Sequence, residues 1–247
     1  MNAARRHVVV TGGGSGVGAA TARAFAEAGH PVTIMGRTEA PLAVQGLPFE
    51  ICDVTDPDAV ARAFAAAADA RGPVAIVVAN AGAAESVPFA KLRPDQLHAM
   101  MAVNLGGVVH CWQAALPGMK AARWGRMIAV ASTAGLRGYP YVAAYCAAKH
   151  AVVGLTRAVA RELARTGITA NAVCPGFVET PLLERSIRNI VLTTGMDEEA
   201  AAATLRADNP QGRFVQPGEV ASAALWLASD GAAATNGHAL SLSGGET

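Results

Sequence analysis

The glycines that follow the first apolar run restrict the fold more than any other part of the sequence. A β-branched run at residues 7–11 leads into the glycine-rich segment 12–18, which opens a helical pattern ending at Gly29. Such a turn lets the backbone approach a phosphate and points a helix N-terminus at its negative charge. The spacing, G-x-x-x-G-x-G, differs from the standard G-x-G-x-x-G fingerprint. The segment predicts a β-α unit that binds a dinucleotide, and a turn that binds nothing is the alternative.

Strand-like and helix-like patterns alternate along the whole chain. Predicted strands lie at 7–11, 32–35, 49–53, 74–80, 126–132, 168–173 and 239–242, and predicted helices at 16–29, 56–71, 94–123, 145–166 and 219–229. Hydrophobic residues make up 52% and aromatics only 5%, which suits helices packed on a sheet. The pattern predicts an α/β fold: one Rossmann-like domain over residues 1–247, a doubly wound parallel sheet with helices on both faces. The irregular stretch at about 182–214 is typical of a substrate lid.

The composition argues against several other classes of protein. A net charge of +1 leaves no basic excess to neutralise a phosphate backbone, so we expect no nucleic-acid partner. The four cysteines lie far apart without a C-x-x-C pair, which predicts reduced core thiols and no metal site. The first apolar run is too short for a signal-peptide core, and no run of about 18 apolar residues occurs. We therefore expect a cytoplasmic protein without a membrane partner.

The end of the second predicted strand indicates which dinucleotide is bound. NAD sites usually place an acid there for the ribose 2′-hydroxyl, whereas an arginine accommodates a 2′-phosphate. Arg37 and Thr38 follow this strand, and no acid appears before Glu39. They favour NADP(H), and NAD(H) is the alternative if Arg37 is only a solvated surface charge. Asp53 is the candidate for the adenine edge, unless it serves as a turn or capping residue beside Thr55.

Three further side chains predict acid–base chemistry. Tyr145 and Lys149 lie four residues apart at the start of a predicted helix, so they share one face. A free tyrosine has a pKa of about 10, but a nearby ammonium, or an oxidised nicotinamide, favours the phenolate. Ser132 ends the preceding strand and can stabilise charge on a substrate oxygen. The group predicts proton transfer at a carbonyl oxygen, although Y-x-x-x-K alone is also a common start of an amphipathic helix.

Taken in order, these motifs resemble the short-chain dehydrogenases/reductases of about 250 residues. The matching pieces cover almost the whole chain: T-G-x-x-x-G-x-G at 11–18, Asp53, Asn-Ala-Gly at 80–82, Asn104, Ser132, Tyr-x-x-x-Lys at 145–149, and Pro-Gly at 175–176 with Thr180. Each piece is weak alone, and their shared order argues against chance. The family often has Asn-Asn-Ala-Gly, and Ala79 in place of the first Asn removes one side-chain contact.

The resemblance implies a catalytic set of Asn104, Ser132, Tyr145 and Lys149. Asn104 would hold a water that links Lys149 to bulk solvent as a proton relay, and Lys149 would also bind the nicotinamide ribose. The resemblance further implies that long helices pair across twofold axes to build a homotetramer, consistent with the closed symmetry of most soluble homo-oligomers.

The resemblance also implies a cofactor-binding set that lines one cleft. Pro175, Gly176 and Thr180 would line the nicotinamide, while Asn80 and Gly82 would support the adenosine side. The full predicted set is Gly12, Gly14, Ser15, Gly16, Val17, Gly18, Arg37, Thr38, Asp53, Val54, Asn80, Ala81, Gly82, Tyr145, Lys149, Pro175, Gly176, Val178 and Thr180.

The substrate is indicated only by the segments that would surround its carbonyl. Residues 134–141 are apolar and aromatic, and the predicted lid is apolar with Arg185, Arg188 and Arg206 interspersed. An apolar pocket with a basic rim suits an acyl chain with a remote anion, such as a CoA or acyl-carrier-protein thioester. We expect a 3-oxoacyl thioester reductase or, in reverse, a 3-hydroxyacyl-CoA dehydrogenase. A reductase of small or aromatic ketones is the alternative, and a non-catalytic dinucleotide-binding protein is a distant third, disfavoured by the intact catalytic set.

Overall fold

A parallel sheet of seven strands forms the centre of the molecule in the computed structural model, which describes residues 5–247. Residues 1–4 lie outside the described part, so the predicted domain and the N-terminal segment are described only from residue 5 onward. The strand order is β3-β2-β1-β4-β5-β6-β7, and every pairing is parallel. The strands are β1 (His7–Thr11), β2 (Val32–Gly36), β3 (Phe49–Ile51), β4 (Val74–Ala79), β5 (Gly125–Val130), β6 (Ile168–Pro175) and β7 (Ala239–Leu242).

Helices cover both faces of this sheet. The helices are α1 (Gly16–Glu27), α2 (Glu39–Ala43), α3 (Pro57–Arg71), α4 (Pro94–Met101), α5 (Gly107–Ala122), α6 (Ala143–Leu163), α7 (Pro181–Thr194), α8 (Glu198–Arg206) and α9 (Pro217–Ala228). The hydrophobic core on one face includes residues of α1 and α9, and the core on the other face includes residues of α3, α5 and α6. This arrangement confirms the predicted doubly wound α/β fold.

The continuous apolar runs in the sequence arise because the inner strands are buried on both faces. In β1, Val8 and Val10 contribute to the core under α1, whereas Val9 contributes to the core on the opposite face. Local signals begin and end the helices as expected: the Asp56 side chain accepts hydrogen bonds from the N–H groups of Asp58 and Ala59 at the start of α3. The carboxyl ends of β1, β4, β5 and β6 open onto one edge of the sheet, where ligands of such folds bind.

The helix predicted over residues 94–123 is interrupted in the structure. A π-helical turn, Ala102–Gly106, separates α4 from α5. Such a turn contains one extra residue relative to an α-helix, and π-turns occur often at functional sites. The predicted candidate Asn104 lies inside it, fully buried. Amphipathic periodicity could not reveal this break, because the apolar pattern continues on both sides.

Smaller differences concern three other predicted segments. The strand predicted at 49–53 ends at Ile51, because the chain then turns through a hydrogen-bonded motif at Asp53. The single-turn helix α2 had no prediction. The irregular stretch at 182–214 contains two helices, α7 and α8, joined at Gly195 in the left-handed conformation.

The stretch from Pro94 to Ala122 is long and apolar enough to cross a membrane by those two criteria alone. In this structure it is a layer of the fold, since α5 packs on β4 and α3 while α4 packs on α6. The four cysteines are buried and free, which confirms the prediction of reduced core thiols.

Candidate active site

The glycine-rich turn between β1 and α1 leaves room for a ligand at the start of the helix. Gly12 and Gly16 have φ angles of +65° and +51°, which side chains rarely adopt. A Cβ on Gly18 would lie 2.2 Å from the Gly12 carbonyl oxygen, so only glycine allows this close packing. Within the described residues the Ser15 side chain makes no capping hydrogen bond. The first N–H groups of α1 are therefore free to bind an anion, as the glycine motif predicts.

Hydrogen bonds from the end of β4 support this turn. The Thr11 hydroxyl accepts from the N–H groups of Asn80 at 3.1 Å and Ala81 at 3.0 Å. The Asn80 side-chain amide donates to the Thr11 carbonyl at 2.9 Å. Asn80 thus fixes the conformation of the turn, while Val17 at the start of α1 packs beside the adjoining core.

Arg37 lies exposed just after β2, close to Asp53 in the turn that follows β3. No hydrogen bond or ion pair of its guanidinium is found among residues 5–247. The Asp53 carboxylate accepts from the backbone N–H and hydroxyl of Thr55 at 2.9 and 2.8 Å. These bonds lower the pKa of Asp53, with a smaller contribution from Arg37. The Asp53 carboxylate therefore stabilises a turn with Thr55. The Arg37 guanidinium has no partner among the described residues.

Three more of the predicted cofactor-binding residues, Gly14, Val54 and Thr38, have defined neighbours in the structure. The Gly14 carbonyl accepts from the Gln45 side chain at 3.0 Å, and a Cβ on Gly14 would contact Pro41 at 3.1 Å. Val54 is buried against α5, where its carbonyl lies 2.8 Å from the His110 ring. Thr38 stands at the N-cap position of α2, next to Arg37.

Tyr145 and Lys149 share one face of α6, as predicted, and lie at the carboxyl end of β5. The Lys149 Nζ donates to the Val130 carbonyl at 2.8 Å and lies 5.5 Å from the Tyr145 ring centroid. Burial lowers the pKa of Lys149 to about 8. Burial also raises the pKa of Tyr145 to about 12, although a hydrogen bond to Ser132 works against the rise. The ammonium does not make Tyr145 a phenolate in this structure, so at neutral pH the phenol keeps its proton.

Ser132 follows β5 and begins a 3-10 turn, Thr133–Gly135. Its hydroxyl oxygen accepts from the Ala134 N–H at 3.1 Å. The turn packs tightly on α6, since a Cβ on Gly135 would lie 2.7 Å from the Lys149 carbonyl. The turn that follows Ser132 is consequently fixed against α6, the helix that carries Tyr145.

Asn104 reaches the same region from the π-turn. Its side-chain amide donates to the carbonyls of Ala83 at 2.9 Å and Met100 at 3.0 Å. A Cβ on Gly82 would lie 2.7 Å from the Asn104 Oδ1 and 3.7 Å from the Lys149 Nζ. The structure therefore places Gly82 beside Asn104 and Lys149, and its predicted support of the adenosine side stays a prediction.

The loop after β6 closes the cleft opposite the glycine-rich turn. The Gly176 N–H donates to the Leu242 carbonyl at 3.0 Å, which joins Pro175 and Gly176 to β7. Val178 forms an isolated bridge with Val215. Thr180 stands at the N-cap position of α7 with its hydroxyl donating to the Val178 carbonyl, and a Cβ on Gly16 would lie 3.1 Å from its methyl group. The loop after β6 and the glycine-rich turn, both predicted to bind the cofactor, therefore meet.

Sequence reasoning missed a group that lies behind Ser132. The Glu246 side chain is buried, with 2% of its surface exposed, and pairs with Arg137 at 3.2 Å and with the Tyr139 hydroxyl. Arg137 and Tyr139 lie in the segment that the sequence assigned only to pocket lining. More than a hundred residues separate them from Glu246, so no local pattern could have indicated the contact.

Comparisons with known proteins agree with this geometry. Residues 6–190 match a family model described as short chain dehydrogenase. A D-beta-hydroxybutyrate dehydrogenase of Rhizobium meliloti is 37% identical, over 97% of each chain. A putative ketoacyl reductase of the monensin polyketide synthase from Streptomyces virginiae is 40% identical, over 97% of this chain and 96% of its own. Among solved structures, a variant actinorhodin polyketide ketoreductase with NADPH shares 36% identity and a TM-score of 0.93, covering 98% of this chain and 97% of its own.

Proposed function

The chain belongs to the short-chain dehydrogenase family, and we propose that it reduces 3-oxoacyl thioesters with NADPH, or oxidises 3-hydroxyacyl thioesters in reverse. Membership makes it an oxidoreductase that transfers hydride between a nicotinamide dinucleotide and a carbonyl or alcohol carbon. The observation that carries the proposal is the convergence of Ser132, Tyr145 and Lys149 at one end of the cleft. A binding protein without catalysis would have no need of a buried lysine and a tyrosine with a displaced pKa beside a serine hydroxyl.

We assign proton transfer to Tyr145. Its pKa of about 12 keeps the phenol protonated at neutral pH, which is the form that donates to a carbonyl oxygen during reduction. The Ser132 hydroxyl donates a second hydrogen bond to the same oxygen and stabilises its developing charge. Lys149, with Asn104 beside it, restores the proton on Tyr145 after each turnover. The bound dinucleotide supplies or accepts the hydride.

The turn after β1 fits the pyrophosphate of such a dinucleotide. The space at Gly12 and Gly18, which any Cβ would fill, admits close backbone approach, and the uncapped start of α1 supplies N–H donors. We propose NADP(H) over NAD(H), because Arg37 is exposed and uncommitted at the position that would face a ribose 2′-phosphate. Asp53 is a weaker candidate for the adenine edge, because its carboxylate already accepts two hydrogen bonds from Thr55.

We propose that residues 182–214 act as a lid over the substrate, within one domain that spans the chain. In α7 only Leu183 is buried, and Leu192 is 79% exposed, so this helix has an apolar surface available to an acyl chain. Arg185 and Arg188 are exposed on α7, whereas Arg206 pairs with Glu199. Of the three arginines predicted to form a basic rim, Arg185 and Arg188 are therefore the candidates to bind a remote phosphate. The ketoacyl reductase among the relatives supports this substrate class.

A small 3-hydroxy acid or ketone is the second candidate. The hydroxybutyrate dehydrogenase relative favours it, and it would use the same catalytic residues without the rim. We further propose a cytoplasmic homotetramer, with α5 and α6 as the pairing helices. Light scattering that detects only monomer at micromolar concentration would contradict this assembly.

Paired kinetics separate the two substrate classes. Acetoacetyl-CoA and a small neutral ketone should be compared with NADPH and NADH, in the wild type and in the variants Arg185→Glu and Arg188→Glu. We expect each variant to raise KM for the thioester severalfold and to leave the ketone unaffected, because only the larger substrate reaches the rim. Arg165→Glu, an exposed charge beyond the far end of α6, is the control. Equal effects on both substrates, or none, would favour the small-substrate alternative.

A further inference from the structure

A buried carboxylate lies behind the catalytic serine, in the segment that follows β7. Glu246 pairs with Arg137 at 3.2 Å and accepts a hydrogen bond from the Tyr139 hydroxyl. An unpaired carboxylate is costly to bury, and the guanidinium and the phenol together compensate this one. Arg137 also lies 5.0 Å above the Tyr139 ring, so the three side chains form one unit, the Glu246 cluster.

The cluster connects to the catalytic serine through Thr133. The hydroxyls of Thr133 and Tyr139 lie 2.6 Å apart. Because the carboxylate can only accept, the Tyr139 proton points to Glu246 and the Thr133 proton points to Tyr139. Burial and the neighbouring Glu246 raise the pKa of Tyr139, so Tyr139 stays a donor at neutral pH. The hydrogen bonds thus run in one direction from the residue after Ser132 to Glu246.

The same carboxylate lies beside the loop after β6, across the cleft from the glycine-rich turn. A Cβ on Gly176 would lie 3.5 Å from Glu246 Oε2, and the Tyr139 ring meets Phe177 edge to face at 6.1 Å. Glu246 therefore lies between the segment after Ser132 and the loop after β6. These are the two segments between which a carbonyl and a nicotinamide must be aligned.

We infer that Glu246 is a positioning residue, which sets the placement of Ser132 through Tyr139 and Thr133 and couples it to the loop after β6. The inference rests on the proposed role of Ser132. A role in positioning would affect catalysis, because a small displacement of a catalytic group lowers the rate steeply. The alternative is that the cluster only stabilises the fold.

The test compares variants of the cluster with a matched ion pair elsewhere. Glu246→Ala, Glu246→Gln, Tyr139→Phe and the double variant Tyr139→Phe/Glu246→Ala are measured for kcat, for KM, for NADPH affinity by fluorescence and for Tm. Asp95→Asn, which removes the carboxylate of the exposed pair with Arg93 at the start of α4, is the control.

We expect Glu246→Ala to lower kcat about tenfold, with NADPH affinity and the control variant unchanged. Glu246→Gln keeps an oxygen that accepts from Tyr139, so it should stay within about threefold of wild type. The double variant should lose no more than Glu246→Ala alone, since both changes break one route. Three outcomes would each overturn the inference. These are an unchanged kcat with a lower Tm in Glu246→Ala, additive losses of kcat in the double variant, and an equal loss of kcat in Glu246→Gln and Glu246→Ala. Ser132→Ala and the wild type, measured alongside on a 3-oxoacyl thioester, separate the two levels. No NADPH-dependent turnover by the wild type would overturn the proposed function, and wild-type turnover by Ser132→Ala would overturn the proposed role of Ser132. If Ser132→Ala is inactive while Glu246→Ala is normal, only the positioning role of Glu246 fails.

Discussion

Replacing Lys149 by methionine should abolish activity and yet make the cofactor-free protein more stable. Lys149 is 4% exposed, and its ammonium has one recorded hydrogen bond among the described residues, to the Val130 carbonyl. Burial lowers the pKa of this amine from 10.5 to about 8. The fold therefore holds the charged form at a cost, and a methionine of similar length would remove the charge while filling the space.

The size of the effect follows from that displacement. A pKa of about 8 in place of 10.5, at about 1.4 kcal/mol for each tenfold change in the ionisation constant, means that burying the Lys149 charge costs roughly 3 kcal/mol. Methionine cannot donate to the Val130 carbonyl, and loss of that hydrogen bond destabilises the variant by about 1 kcal/mol. The net gain of about 2 kcal/mol corresponds to a rise in Tm of roughly 4–8 °C for a chain of this size.

The gain should also depend on pH in a defined direction. Between about pH 8 and 10.5 the folded amine is neutral while the unfolded amine is still protonated, so the unfolded state binds more protons and wild-type stability rises with pH. The advantage of Lys149→Met is thus full below pH 8 and shrinks above it. Denaturation of both proteins at pH 7, 9 and 10 measures this, and the exposed Lys120→Met is the control. A variant less stable at pH 7, or a difference independent of pH, would refute the reasoning.

Three further outcomes are expected. Tyr145→Phe should lower kcat by at least about a hundredfold, because it removes the transferable proton, while fluorescence titration shows unchanged NADPH affinity; wild-type turnover would contradict the assignment. Arg37→Asp should shift kcat/KM from NADPH toward NADH, through loss of a phosphate contact and gain of a ribose acceptor, and a wild type that already prefers NADH would show that Arg37 is only a surface charge. His7 is buried between Thr33 and the Gly72 carbonyl, and burial lowers its pKa. Its contribution is complete above the unfolded pKa of 6.5 and is lost as pH falls through 6.5 toward the lower folded value, so melts from pH 7.5 to 5.5 should fall more steeply for wild type than for His7→Gln.

The sequence predicted those parts of the fold and site that depend on neighbours along the chain. The glycine-rich turn, the cap at Asp56 and the shared face of Tyr145 and Lys149 are all set within a few residues, and strand alternation with helices determines a parallel sheet. The family and its oxidoreductase chemistry were predicted correctly because these local pieces occur in a recognisable order.

Features that depend on distant contacts could not be predicted in this way. The location of Gly82 beside Asn104 and Lys149 depends on how β4, the π-turn and α6 meet. The pairing of Arg137 with Glu246 spans 109 residues. Burial is the largest cause of the raised pKa of Tyr145. The spacing of residues on a helix does not show burial, so the nearby ammonium alone suggested a lowered pKa.

The π-turn at Ala102–Gly106 makes the length of this region as important as its composition. One residue corresponds to about 100° of rotation in an α-helix. Met100 in α4 packs on residues of α6, while Cys111 and Trp112 in α5 belong to the core beside the sheet. The extra residue of the π-turn rotates α5 relative to α4 so that both apolar faces reach their partners. Deleting a single residue here would regularise the helix, yet it would turn one half away from its partner and carry Asn104 out of register with Lys149. A one-residue deletion should therefore be worse tolerated in this segment than several conservative substitutions.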